Sequence, residues 1–267
     1  MAFRLPPRKE NSHKGTFGKV LNISGSRYYR GAAYLSSVSA LKIGCGYVVL
    51  CSCDEVLDAV TVQAPEVVLS PLEELSEKIK EADTIEIGCG LSTSLEAKNI
   101  VKKVLSSKVQ VPVVLDADGL NILSGLKKPK LPENLIITPH PKEASRLLGV
   151  EIEKIITNTE FYAKELSKKF NCTAVLKTNE TIVSSVECRT YKNITGNSAL
   201  AKSGSGDVLT GIIAGLLAQK MDIFEACKLA VYLHGLAADI ARNDLTEYGV
   251  LASDLIRYIP SAIKKLI

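Results

Sequence analysis

The chain has 267 residues, about 1.8 times the length of a typical domain, so one large domain or two small ones would fit it. Hydrophobic residues make up 46% and charged residues 23%, which excludes a wholly disordered, collagenous or coiled-coil chain. Lys and Arg total 33 against 29 Asp and Glu. That net charge of only +4, with no Trp and 5% aromatics, points to small anionic ligands rather than nucleic acid.

In chain order, Met1 to Lys14 is polar with two prolines and lacks the apolar core of a signal peptide. Short β-branched runs then predict strands over Val20–Ser24, Tyr47–Cys53, Thr84–Ile87, Val113–Asp116, Leu135–Thr138 and Ala174–Lys177. The early ones are apolar on nearly every residue, as in a parallel sheet covered on both faces. Two further runs, Thr181–Ser185 and Arg189–Asn193, follow closely enough to form an antiparallel edge. Between the strands, helices are predicted over Ala32–Ile43, Glu73–Glu81, Ser94–Leu105, Lys142–Leu148 and Glu153–Phe170. After residue 206 the chain turns helical, over Asp207–Gln219, Ile223–Arg242 and Ala252–Leu266.

Alternating β and α elements imply an α/β fold with a mostly parallel sheet. The chain shows no repeat, no low-complexity segment and no long linker, so residues 1–267 read as a single domain. A (β/α)₈ barrel is the runner-up, disfavoured because consecutive helices follow residue 206. The longest apolar run, Val208 to Ala218, is too short to span a bilayer. The seven cysteines, an odd number with no CxxC pair, read as free thiols in a reduced, cytoplasmic compartment.

The sharpest motif is Asn197-Ser-Ala-Leu-Ala-Lys-Ser-Gly-Ser-Gly-Asp207, directly ahead of an apolar helix. The backbone amides of Ser203, Gly204, Ser205 and Gly206 can converge on one anion, and the helix N-terminus adds partial positive charge. Walker A is excluded, since no Gly-Lys-Ser/Thr follows the loop. Asp207 could cap the helix or complement its dipole. Beside an anion loop, a general base is the stronger reading. Gly211 and Gly215, one turn apart, would let this helix pack tightly, within or between subunits.

Other segments fall at strand ends, where α/β sheets bind ligands. Asn22-Ile-Ser-Gly-Ser26 leads into Tyr28-Tyr-Arg-Gly31, and Ile87-Gly-Cys-Gly-Leu91 is a glycine turn equally open to a plain structural reading. In Leu115-Asp-Ala-Asp-Gly-Leu-Asn121, metal ligation or substrate contact and helix capping are equally open. His140, between two prolines in Thr138-Pro-His-Pro-Lys-Glu143, reads as a substrate contact, with Glu143 a possible cap. His234, inside an apolar helix, reads as a core histidine, and His13 is open to either role.

Together these segments resemble the ADP/ATP-dependent NAD(P)H-hydrate dehydratases of the ribokinase-like superfamily. The likeness runs from His13-Lys-Gly-Thr-Phe-Gly18 through Thr138-Pro-His-Pro-Lys-Glu143, Gly204-Ser-Gly-Asp207 and Val231-Tyr-Leu-His-Gly235 to Ala252-Ser-Asp-Leu-Ile256. It implies a three-layer sandwich with a mostly parallel central sheet flanked by helices. The activity it implies is loss of water from the S epimer of hydrated NADH or NADPH (NADHX, NADPHX), driven by ADP or ATP with Mg²⁺. On that resemblance, Ala32, Gly90, His140 and Asp207 hold the hydrate and Asn197 lines the reaction site. Lys177, Thr178, Asn179, Glu180 and Thr181 with Gly206 hold the nucleotide. The metal ligands stay open. A homo-oligomer, a tetramer by resemblance, is expected, with neither nucleic acid nor membrane as partner. The chain departs from the family in reading Lys177-Thr178 for Lys-Gly, Gly88-Cys89-Gly90 for Gly-Pro-Gly, and Ser203-Gly204 for Gly-Gly. The epimerase domain that often precedes such chains is not expected here, so the stand-alone dehydratase is the form implied. The rivals are a ribokinase-like small-molecule kinase, such as a hydroxyethylthiazole kinase, and a non-catalytic nucleotide-binding module.

Overall fold

The structure, a computed structural model, describes residues 3–267. The strands are β1 (Lys19–Ile23), β2 (Tyr47–Ser52), β3 (Val68–Pro71), β4 (Thr84–Ile87), β5 (Val113–Leu115), β6 (Leu135–Ile137), β7 (Thr173–Leu176), β8 (Ile182–Ser184) and β9 (Thr190–Lys192). The helices are α1 (Arg30–Lys42), α2 (Asp54–Thr61), α3 (Leu75–Glu81), α4 (Leu95–Ser106), α5 (Ala117–Ser124) and α6 (Pro141–Leu148). They continue with α7 (Ile152–Thr157), α8 (Thr159–Phe170), α9 (Ser205–Ala218), α10 (Ile223–Gly249) and α11 (Ala252–Lys264).

Among the described residues, nine strands form one open sheet in the order β3-β2-β1-β4-β5-β6-β7-β8-β9. Pairing is parallel from β3 to β7 and antiparallel from β7 to β9. Alternate strand residues point to opposite faces, so each strand feeds two cores. Val20 and Leu50 pack with α1, α2, α9, α10 and α11 on one face. Leu21, Ile85 and Ile137 pack with α3 to α8 on the other. The result is the helix–sheet–helix sandwich, and the open edges exclude the barrel.

Every expected strand is present within a residue or two, and three elements are additional. β3 ends at Pro71 and is too short to show a period, whereas α2 and α5 occupy segments left without assignment above. The expected Glu153–Phe170 helix is two helices, because Asn158 (φ −129°, ψ 50°) leaves the helical region and breaks the hydrogen-bond ladder. α10 runs on to Gly249 through a break at Thr246, where φ is +63°.

Gly211 and Gly215 settle against α1 of the same chain. A Cβ on Gly211 would lie 2.1 Å from the Ser36 carbonyl oxygen, and one on Gly215 would lie 2.7 Å from that of Ala40. This backbone contact fixes the position of the α9 N-terminus over the sheet.

Candidate active site

The chain runs outward from β1 through β2 to β3, then returns to start β4 on the other side of β1. The crevice outside the carboxyl ends of β1 and β4 is therefore the topological switch point, where open α/β sheets bind ligands. The two turns there are stapled together: Gly25 N–H donates to the Cys89 carbonyl at 2.8 Å, and Ser26 Oγ donates to that of Gly90 at 2.8 Å. Gly90 (φ +61°) admits no side chain, since a Cβ would meet the Cβ atoms of Ala32 and Tyr29, each at 2.8 Å. Ala32 and Gly90 thus form one wall at the start of α1. Tyr28 and Tyr29 stand exposed above it.

Asp116 follows β5 and is 1% exposed. Its Oδ1 accepts from Lys177 Nζ at 2.8 Å and from Ala117 N–H at 2.8 Å, so it both caps α5 and forms an ion pair. Its Oδ2 accepts from Thr210 Oγ1 at 2.6 Å. Burial works to raise the Asp116 pKa, but the Lys177 ammonium and these hydrogen bonds hold it below the ordinary value. Burial likewise opposes the Lys177 charge, and Asp116 and Glu143 together outweigh it. Lys177, at the end of β7, is fixed by its own N–H donating to the Pro139 carbonyl at 2.8 Å.

The anion loop meets α9 at Gly204, whose φ of +90° suits glycine, and where a Cβ would strike Leu35 Cδ1 at 2.5 Å. Ser205 and Gly206 begin the helix, and Ser205 Oγ shares a 3.2 Å hydrogen bond with His234 Nε2. Burial depresses His234 to about 4, so it stays neutral and braces the loop without adding charge. Asp207 lies in the first turn, half-buried and facing Cys89, Asp116 and Asp118. Burial and the Asp116 charge raise it to about 6, against the pull of Cys89 and Lys177. A carboxyl with that pKa is ionised at neutral pH yet basic enough to take a proton.

On the other side of the loop lies a cavity of about 680 Å³, within the usual range for small-molecule sites. Lys177, Thr178, Asn179 and Thr181 line it from the β7–β8 connection, Ser205 and Gly206 from α9, and Val231, His234 and Gly235 from α10. Asn197 lines it too. Its Oδ1 accepts from Ala199 N–H at 3.0 Å and its Nδ2 donates to Asp239 Oδ1 at 2.9 Å, which locks the 195–198 segment. His140 closes one end. Its Nδ1 accepts from Lys142 and Glu143 N–H, and its Nε2 lies 3.1 Å from Glu143 Oε1, so the proton sits on Nε2.

The structure thus divides the expected site residues into two groups. Ala32, Gly90 and Asp207 belong to the switch-point side; His140, Lys177, Thr178, Asn179, Thr181, Asn197, Ser205 and Gly206 line the cavity. Ser203 and Gly204 shape the loop without lining it. Glu180 turns outward to pair with Lys192 at 2.6 Å. Thr178 keeps its side chain in the local turn, its Oγ1 accepting from Glu180 N–H at 3.2 Å. Glu143 caps α6, and His13 caps the short 3₁₀ turn at Lys14–Phe17.

Several residues at the site escaped sequence reasoning. Thr210, three positions beyond Asp207, is on the same helix face, and that spacing was the available signal. His234 precedes Gly235, where a Cβ would meet Thr195 Oγ1 at 2.3 Å, so the glycine marks a close approach to the site. Asn193 ends a predicted strand, Thr195 lies in the connection after it, and Lys202 sits inside the loop motif, where nothing marked its side chain as lining the cavity.

A family model described as NAD(P)H-hydrate dehydratase matches residues 20–261. The ADP-dependent (S)-NAD(P)H-hydrate dehydratase of Neisseria meningitidis is 38% identical over 95% of this chain and 89% of its own length. Among solved structures, the ADP/ATP-dependent NAD(P)H-hydrate dehydratase of Bacillus subtilis, co-crystallised with ATP and Mg²⁺, superposes with a TM-score of 0.90. It is 33% identical, with 98% of this chain and 95% of that one covered. A ribokinase-like superfamily protein of Enterococcus faecalis gives a TM-score of 0.89 at 31% identity, with 98% and 92% covered. The chain spans about half the length of the bifunctional NAD(P)H-hydrate repair enzymes it also matches, 53% in the relative from Thermofilum pendens.

Proposed function

Because the chain belongs to the NAD(P)H-hydrate dehydratase family, we propose that it removes water from the S epimer of NADHX or NADPHX at the expense of ADP or ATP. The observation that carries this reading is the placement of Asp207. It sits on the first turn of α9, raised to about 6, with the cavity on one side of its loop and the Ala32–Gly90 wall on the other.

In this reading the adenine nucleotide occupies the cavity, its phosphates toward the N-terminus of α9 at Ser205 and Gly206. The hydrate lies along Ala32 and Gly90, with its ring hydroxyl at Asp207. Asp207 takes the hydroxyl proton as the oxygen bonds to the terminal phosphorus and the nucleotide's bridging P–O bond breaks. Hydroxide is a poor leaving group, and the phosphate ester is a good one. The ring nitrogen's lone pair then expels phosphate, the neighbouring carbon gives up its proton to the released phosphate, and the double bond of the dihydronicotinamide returns. The Asp116–Lys177 pair and Thr210 hold the floor rigid beneath the loop.

Among the described residues no group of three His, Cys, Asp or Glu side chains is placed to cage a metal ion. That suits Mg²⁺ carried by the nucleotide, since Mg²⁺ in such sites relies on phosphates and one or two carboxylates. When bound with the nucleotide, Mg²⁺ would offset phosphate charge. We further read residues 1–267 as one domain, cytoplasmic and homo-oligomeric, a tetramer by family resemblance. Its partners would be small molecules rather than nucleic acid or membrane. Among the described residues no helix is long and apolar enough to cross a bilayer, and all seven cysteines are free.

The experiment is recovery of reduced-nicotinamide absorbance from chemically hydrated NADH and NADPH with ADP, ATP or neither, beside Asp207→Asn. Nucleotide-dependent recovery lost in the variant is the expected result. Tight nucleotide binding with phosphate transfer to an alcohol and no recovery would replace this reading with a small-molecule kinase.

A further inference from the structure

We propose that Lys202 is the side chain that neutralises the nucleotide's phosphate chain, exchanging its bond to the Tyr248 main-chain carbonyl for one to a phosphate oxygen. The proposal rests on the reading of the cavity as the adenine-nucleotide site.

Among the described residues, four basic side chains line the cavity: His140, Lys177, Lys202 and His234, the last kept neutral by burial. The first two are committed. His140 Nδ1 caps α6 while its Nε2 faces Glu143. The Lys177 ammonium is paired with Asp116 at 2.8 Å, on a carboxylate also bonded to Thr210. Neither brings net charge to a ligand.

Lys202 differs. Its ammonium donates to the main-chain carbonyl of Tyr248, a neutral acceptor, and among the described residues no carboxylate lies within ion-pair distance of it. Tyr248 belongs to the exposed stretch past the break in α10 at Thr246. A hydrogen bond from an ammonium to a phosphate oxygen is charge-assisted at both ends and stronger than one to a carbonyl. Exchange of one for the other is therefore favourable once an anion is present.

The backbone places Lys202 where the exchange needs it. Its carbonyl accepts from Ser205 N–H at 3.3 Å, so the residue is tied to the turn that presents the loop amides. Between Asn197 and Asp207 it is the single charged residue. The remaining lining near it, Asn197, Ser198, Ser205 and Gly206, is neutral. A diphosphate or triphosphate would otherwise meet only peptide dipoles there.

The test is calorimetric titration of ADP, ATP and adenosine into wild type, Lys202→Met and Lys202→Arg, with a thermal melt of each as a folding control. Lys202→Met should weaken ADP and ATP about tenfold, the size of one charge-assisted hydrogen bond. It should leave adenosine within about twofold, and Lys202→Arg should restore most of the loss. In the hydrate assay, Lys202→Met should raise the KM for nucleotide about tenfold with a much smaller change in kcat. Unchanged ADP affinity in Lys202→Met, or an equal loss for adenosine, would overturn the proposal while leaving the nucleotide reading intact. A wild-type protein that binds none of the three would overturn both.

Discussion

The two sides of the α9 loop are built on opposite plans. The switch-point side is made of short turns after parallel strands, held by main-chain bonds such as Gly25 to Cys89, with Gly90 packed directly on Ala32. Its charges are crowded carboxylates: Asp116, Asp118 and Asp207 face one another with Lys177 as the counter-charge. The cavity side is made of side chains that restrain one another. Asn197 is locked by Asp239, His140 by Glu143, and Ser205 by His234. The difference shows a division of labour. The first side accumulates negative charge and so raises the pKa of its base, whereas the second stays neutral or cationic and suits an anion.

The sharpest way to break this contrast is to remove the base. Asp207→Asn should lower kcat by about 10²- to 10⁴-fold, the usual contribution of a positioned base. Nucleotide affinity should stay within about threefold, since Asp207 does not line the cavity. Steady-state rates and titration of ADP would read both. A loss of nucleotide affinity as large as the loss of rate would merge the two sides into one.

Lys177→Met attacks the element the two sides share. It strands a fully buried carboxylate and should cost about 3–5 kcal/mol of stability, measured by urea unfolding. A variant as stable as wild type would show that Asp116 is neutralised by another route.

The pH dependence sharpens the contrast further. Asp207 titrates at about 6 in the fold against 3.8 ordinarily, so the native state holds its proton more tightly than the unfolded chain. The Asp207 contribution to stability is therefore most favourable at low pH and falls as pH rises from 3.8 to about 6. Asp207→Asn should melt higher than wild type above pH 6, with the two curves converging toward pH 4. In wild type, kcat/KM should rise with pH along a limb centred near 6. A flat profile across that range would remove Asp207 from the role of base.

The smallest effect is expected at Glu180, which shares its segment with cavity residues but faces away from them. Glu180→Ala should change stability by no more than about 1 kcal/mol, as for exposed ion pairs. Nucleotide affinity, by titration, should change less than about twofold. A larger loss would mean that the β7–β8 connection rearranges when nucleotide binds.

Much of this was legible in the residues. Buried parallel strands declare themselves by runs that are apolar at nearly every residue, as β2, β5 and β6 do, and β1 and β4 stay legible although each carries a buried polar residue, Asn22 and Glu86. A four-residue strand ending at Pro71 has no period to read, and α5 hides because its first residues, Ala117-Asp-Gly, look like a turn. Asn158 breaks a continuous helical pattern by its backbone conformation alone. At the site, the small-residue loop and Asp207 were visible because a Gly-Ser-Gly loop ahead of an apolar helix is an anion-binding pattern, and it turns a first-turn carboxylate from a plain cap into a candidate base. His234 looked like core from its apolar neighbours, and it is buried. Its bond to Ser205 depends on how α10 crosses α9.

The sequence by itself determined the α/β class, the family, and the chemical character of the loop, because these rest on local patterns and contiguous motifs. Only the tertiary structure decided that Asp116 pairs with Lys177 across 61 positions, that Glu180 points outward, and that Lys202 is left without a carboxylate. Each depends on the distance between residues remote in sequence, which is set by strand order and helix packing rather than by any local preference.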